Sequence, residues 1–305
     1  MVKGFVSSSG NSSFQASRLQ TMETPGQRAA TRPARVLIGW MTADEAVAAL
    51  AGRRTEELER PEHVQRAEEA RRAAALRRPV IGLDGVVIEP PAALQAYQAT
   101  LAEQHPRLAT LFEQGLRLAL VDLRRVCALQ SGVFTDVEVP DFDPDDLPAL
   151  AGWTLRPARG GKLDIQFDTR RSAWTLLAPD PNIRVVRHFR TDFEEGSVGL
   201  GFEIRQFGSS LQAVRFRDRY VLVDGYHRAV ALLSRGIDLA PALVGAIETP
   251  DELGQLAVGL GVDVFLGTRP PLLPDFLDDE VAAAVDLPVS TRMLVIEAMN
   301  LRSPG

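Results

Sequence analysis

The chain reads as an α+β protein, with a mainly helical N-terminal part, a mixed-sheet part after it and short helices at the C-terminal end. Three observations predict this. Residues 42–130 are rich in Ala, Leu, Glu and Arg at helical spacing; residues from Trp153 to about Ile247 turn to strand-like alternation; and Tyr220 to Ile247 run as strand, turn, helix and strand in succession. With 305 residues, 45% of them hydrophobic and 24% charged, the chain is long enough for two ordinary domains and a sizeable core.

Residues 1–34, with Ser7-Ser8-Ser9-Gly10-Asn11-Ser12-Ser13 and later Pro25, Gly26 and Pro33, lack sustained apolar periodicity and read as a disordered tail. The tail has no apolar core of the kind a secretory signal needs, and Met22 offers an alternative start that would leave residues 1–21 untranslated. Order is expected from Arg35-Val-Leu-Ile-Gly-Trp40, and Thr42 with Glu45 forms a capping box that opens a helix through Leu50. Glu, Arg and Ala predict a second helix over 56–78, ended by Pro79. Asp84-Gly85 between two apolar runs predicts a tight hairpin, and helices are expected at about 91–104 and 107–129. These elements make up a helical domain over 35–135.

The stretch 136–150, with five aspartates, Glu138 and three prolines, reads as an acidic linker or helix cap. It is not a calcium loop: Pro144 and Pro148 interrupt it, and neither the glycine at the sixth position nor the glutamate at the twelfth is present. Strands are expected near 163–167, 183–187, 211–216 and 220–223 within a domain over 151–247, and helices at 250–260, 278–285 and 290–301 make up a C-terminal segment over 248–305.

Composition excludes several classes. Apolar runs fall far short of the roughly 18 residues that cross a bilayer. Cys127 is the single cysteine, which excludes a disulfide framework and a Cys-based zinc cluster and fits a cytoplasmic protein. A net charge of −6 argues against coating nucleic acid by bulk charge, although residues 151–245 hold 14 basic and 10 acidic residues. Lys162 after Gly160-Gly161 is a turn and not a phosphate-binding P-loop, because the Gly-x-x-x-x-Gly-Lys spacing is absent. His188, between Arg187 and Arg190, reads as a solvated strand position; His63 and His105 have no metal-ligand neighbours in sequence.

The chemistry-bearing stretch is Tyr220-Val-Leu-Val-Asp-Gly-Tyr-His-Arg-Ala-Val-Ala-Leu-Leu-Ser-Arg-Gly236. A buried strand ends at Asp224-Gly225, and Tyr226, Val230 and Leu233 then share one helical face until Gly236 stops the helix. Such a turn leaves backbone N–H groups free at a helix start, where the dipole favours an anion. Gly225 would let a phosphate approach without a Cβ, and His227 and Arg228 would add donors and positive charge.

Asp224-Gly-Tyr-His-Arg228, within Gly225-x-x-Arg228-x-x-Ala231, resembles the phosphate-binding signature of the ParB and sulfiredoxin superfamily. Leu211-Gln-Ala-Val-Arg-Phe216, leading into Tyr220-Val-Leu-Val223, resembles the hairpin that precedes that signature; the likeness covers about 95 of the 305 residues. The resemblance implies a bacterial protein that binds a nucleoside triphosphate with Mg²⁺, a nucleotide-dependent kinase or hydrolase being the enzyme it would suggest. Under that implication Asp224 and His227 are the catalytic candidates, and Gly225, Tyr226, His227 and Arg228 the nucleotide-binding ones. Departures limit the carry-over. Sulfiredoxin's nucleophilic cysteine falls at Tyr226, so that activity is excluded, and the second phosphate motif and helix-turn-helix of the partition proteins are not recognisable after Ile247. The upstream carboxylate of the related serine kinases has Asp192, Glu194, Glu195 and Glu203 as unaligned counterparts. The alternative readings are a nucleic-acid-binding or nuclease-type protein and a non-catalytic interaction module.

Overall fold

The computed structural model describes residues 30–52, 60–80, 82–143, 145–156, 163–170, 172–178, 183–193, 197–206, 208–249, 259–289 and 292–297. The first described element is β1 (Thr31–Val36), which lies within the stretch that reads as a tail and pairs on both edges with strands from later in the chain; residues 1–29 of that stretch are outside the described residues. Helix α1 (Ala43–Leu50) starts as expected, with Thr42 Oγ1 accepting the Glu45 N–H and Glu45 Oε2 accepting the Thr42 N–H at 3.0 Å. Helix α2 (Pro61–Ala75) has Pro61 in its first turn and buries Ala67, Ala70 and Ala74, a narrow small-residue stripe beneath a charged outer face. The stripe lets the backbone at Gly39 approach closely: a Cβ there would sit 2.9 Å from the Ala70 carbonyl oxygen.

Asp84-Gly85 does form a turn, with Gly85 at φ +72°, but the strand after it, β2 (Val87–Ile88), pairs with β3 and not across that turn. Helices α3 (Ala92–Gln104) and α4 (Pro106–Glu113) follow, separated at His105 because Pro106 must open a new helix. The helix expected over 107–129 ends at Glu113. Gly115, at φ +92°, breaks it, and Arg117–Asp122 is strand β3, buried on both faces. A short apolar run buried on both faces has no period of two, which is why its leucines read as helix. Strands β4 (Cys127–Ala128) and β5 (Gly132–Phe134) follow, then irregular chain, then α5 (Leu147–Thr154), which Asp146 caps by accepting the Ala149 N–H at 3.0 Å.

Strands β6 (Asp164–Asp168), β7 (Ala173–Ala178), β8 (Ile183–Asp192) and β9 (Val198–Gln206) come next. They are followed by β10 (Gln212–Phe216), β11 (Arg219–Asp224), α6 (Tyr226–Ser234), β12 (Leu239–Ala246) and α7 (Val262–Leu266). The helix expected at 250–260 and the turn at 160–162 lie outside the described residues, apart from 259–260. Where the other two C-terminal helices are expected, the described residues hold strands instead. β13 (Ala283–Pro288) pairs antiparallel with β1, and β14 (Arg292–Glu297) with β7. In β13 exposure alternates along Ala283-Ala-Val-Asp-Leu287, the period of a strand with one face covered.

The result is a mixed α/β architecture around a curled mixed sheet in the order β2-β3-β12-β10-β11-β4. β12 lies parallel to β10 and antiparallel to β3, while β4 runs parallel to β11. Strands from 117–128 and from 212–246 therefore share one sheet and one core, in which Val121, Cys127 and Leu129 pack with Val221, Tyr226, Val230 and Phe276. Cys127 is fully buried, and burial pushes its thiol up to about 12, which makes it inert. Among the described residues no helix is long and apolar enough to cross a membrane.

Candidate functional site

The turn between β11 and α6 is built as its sequence suggests, strand into helix through one left-handed residue. Gly225 has φ +87° and ψ 17° and stands at the helix N-cap without a side-chain cap. A Cβ on it would meet the Leu211 Cα at 2.7 Å and the Ser210 carbonyl oxygen at 3.1 Å. Glycine is thus required by the crossing of the 210–211 backbone.

Asp224 organises this crossing. Its Oδ1 accepts the Ser209 hydroxyl and the Gly225 N–H, both at 2.7 Å, and its Oδ2 accepts the Ser210 N–H at 3.0 Å. Both carboxylate oxygens are occupied, so Asp224 acts as an orienting group for the turn. Tyr226, expected at the ligand, faces the core instead: its hydroxyl accepts the Leu129 N–H at 2.8 Å and donates to the Leu222 carbonyl. Burial pushes that phenol well above its ordinary range.

His227 is held by β5. Its Nδ1 accepts the Phe134 N–H at 3.0 Å, which places the proton of the neutral ring on Nε2, and its ring lies 5.2 Å from that of Phe134. Burial and the neighbouring charge of Arg32 push its pKa down to about 4, against a smaller opposing pull from Asp136. His227 is neutral near pH 7 and offers an N–H, not the positive charge expected of it. Arg32 itself lies 4.3 Å above the Phe134 ring and makes a two-pronged pair with Asp136, at 2.8 and 2.6 Å.

Arg228 is the residue of the motif that turns toward open space. Its Nη1 donates to the carbonyl oxygens of Thr154, at 2.8 Å, and Ser209, at 2.7 Å. Both acceptors are neutral. Its guanidinium borders a groove of about 840 Å³ that is also lined by Arg156, Arg235, Trp153 and the segment Asp136-Val-Glu-Val-Pro140. Burial, with the charge of Arg156 added, lowers the pKa of Arg228, and Asp224 opposes the shift. Arg156 and Arg228 repel each other across this groove, and an anion would relieve that repulsion.

Arg156, Arg235 and the acidic wall escape a reading of the sequence alone. Arg235 is legible in hindsight, since seven residues from Arg228 returns to the same helical face. Arg156, two residues beyond α5, carries no local signal. The acidic stretch that reads as a linker is one wall of the groove, pinned by Asp136 on Arg32, by Val139 in the core and by Phe142 edge-on to Trp153 at 5.9 Å.

Of the carboxylates named as kinase counterparts, Asp192 and Glu203 lie on the β8–β9 hairpin, and Glu194 and Glu195 are outside the described residues. His188 is exposed on β8, as expected. Among the described residues no group of three or more His, Cys, Asp or Glu side chains stands together to hold a metal. Both oxygens of Asp224 are engaged and Asp136 is paired to Arg32, which leaves Glu138 as an exposed carboxylate on the groove.

Comparison of the chain with family models, curated proteins and solved structures finds no match.

Proposed function

We propose that the groove beside the β11–α6 turn binds the phosphate groups of a nucleotide, in the manner of ParB/sulfiredoxin-like proteins. The observation that carries this reading is the meeting of Arg156, Arg228 and Arg235 on one groove, with Arg228 oriented by two backbone carbonyls instead of neutralised by a carboxylate. Arg228 presents its remaining N–H groups as a fork suited to phosphate oxygens, and Trp153, Val137 and Pro140 supply apolar wall for a base or sugar. Binding without chemistry is favoured over phosphoryl transfer or hydrolysis, because both oxygens of Asp224 are engaged and neutral His227 holds Phe134.

A thermal-shift series with ATP, GTP and CTP, each with and without Mg²⁺, tests the reading. Stabilisation should reach about 2.7 kcal/mol at a hundredfold excess over Kd, and Arg228→Ala should lose most of it. A short single-stranded oligonucleotide forms the control arm. Tighter, steeply salt-dependent binding of that strand would replace the mononucleotide reading with a nucleic-acid one.

A further inference from the structure

Exposed apolar surface is concentrated away from the groove. Among the described residues, twelve of the seventeen exposed large apolar side chains fall within 163–206 and 292–297, the strands β6 to β9 and β14. The core beneath them is small, with Leu176, Ala178 and Ile183 buried and Leu163, Ile204 and Leu294 packed against them. β8 and β9 form a two-stranded sheet, so each has an open edge among the described residues. A two-stranded ribbon is marginal in water, and an open apolar edge invites another strand.

The sequence of β8 says which strand. Phe189-Arg-Thr-Asp-Phe193 reads alike in both directions once opposite charges are matched. Laid antiparallel against itself about Thr191, it sets Arg190 opposite Asp192 twice, Phe189 opposite Phe193 twice and Thr191 opposite Thr191. Residues so paired share a face, because each pair differs by an even number of positions. Backbone direction agrees. Phe193 N–H bonds the Ser197 carbonyl at 2.8 Å, so alternation turns Thr191 toward β9 as well and leaves the backbone groups of Arg190 and Asp192 on the open edge. In one copy Arg190 and Asp192 already pair at 2.7 Å while both remain about two-thirds exposed, at 65% and 66%. Phe189 and Phe193 lie over Gly201 and Gly199 and stay half-exposed, a ready-made aromatic face. The hairpin 183–206 carries four arginines and four carboxylates, a balance that suits another copy of itself better than a polyanion or an anionic membrane.

We propose that two copies of this chain pair through the open edge at the end of β8, residues 189–193 antiparallel about Thr191, to join the two hairpins in the strand order β9-β8-β8-β9. The inference is independent of the groove.

Sedimentation of the full chain at micromolar concentration should show a dimer. Arg190→Asp sets carboxylates against each other and Asp192→Arg sets guanidiniums against each other; each should weaken dimerisation at least about tenfold. An equimolar mixture of the two variants should recover it, because every facing pair is then opposite in sign. Thr191→Cys should give a disulfide-linked dimer on mild oxidation, since facing Cα atoms about 4.5 Å apart are within disulfide reach and the native Cys127 is buried. A monomeric wild type, single variants that dimerise unchanged, or a mixture that stays monomeric would each overturn the proposal.

Discussion

The phenol of Tyr226 accepts the backbone N–H of Leu129 at 2.8 Å, across 97 residues of chain. This bond ties the first residue of α6 to the segment beside β4, and the same hydroxyl donates to Leu222 on β11. The β11–α6 turn is therefore held from a part of the chain that the sequence places in a separate helical domain. Tyr226→Phe leaves the buried Leu129 N–H without its acceptor and should cost about 1–3 kcal/mol in urea unfolding. Its hydroxyl does not face the groove, so nucleotide affinity below the unfolding transition should stay within about twofold of wild type. An unchanged urea midpoint would show that water replaces the phenol.

Two glycines at positive φ separate backbone strain from crowding. Gly236, at φ +77°, has nothing within 4 Å of the place a methyl group would take, whereas Gly225, at φ +87°, would drive one into the Leu211 backbone. Gly236→Ala should cost about 1 kcal/mol, the left-handed penalty alone. Gly225→Ala should cost at least about 1 kcal/mol more, because a backbone atom has to move. Equal losses in thermal unfolding would mean that the 210–211 chain gives way freely.

His227 makes stability depend on pH. Folding lowers its pKa to about 4, while the unfolded chain titrates near 6.5, so between these values the unfolded state binds more protons. The stabilisation from the neutral ring is complete above about pH 6.5 and is lost as pH falls toward 4, up to about 3 kcal/mol in all. Arg32, Asp136 and Arg228 are the charges that act on the ring, and Arg32 and Asp136 stay ionised as a pair through most of this window. His227→Asn, whose carboxamide oxygen can accept the Phe134 N–H without titrating, should flatten the slope of unfolding free energy against pH from 6.5 to 4. Parallel slopes for the two proteins would contradict the assignment.

What could be read in the sequence was local. Thr42 with Glu45, the Gly225 turn, the α6 face and the strands on either side of it follow from short-range rules, and all are present. What could not be read depends on partners far along the chain. β3 lacks alternation because β2 and β12 enclose it and both of its faces are buried; β1 and β14 are strands because β13 and β7 bind them. The site divides in the same way. Arg228 was visible in its motif, whereas the pairing of Arg32 with Asp136 spans 104 residues and begins in a stretch that looks like tail. At Tyr226 and Gly225, residue types that suit a ligand also serve the packing of the turn.

The acidic wall sets the electrostatics of the groove. Glu138 is exposed and lines it together with the arginines, whereas Asp136 is committed to Arg32. Glu138→Gln removes one negative charge from the path of an incoming phosphate. It should raise affinity for a nucleoside triphosphate by about two- to fivefold at low salt, with the gain shrinking as salt rises. Weaker binding by Glu138→Gln would show instead that the carboxylate itself contacts the ligand.

The most direct test of the central claim is titration calorimetry of the full chain with ATP, GTP, CTP and inorganic pyrophosphate, run on wild type and Arg228→Lys. The lysine keeps the positive charge but cannot both span the Thr154 and Ser209 carbonyls and offer a fork to phosphate. Binding by wild type, weakened at least about tenfold in Arg228→Lys with the fold intact by circular dichroism, is the predicted result. No heat with any of the four ligands, or equal affinity in the two proteins, would contradict it.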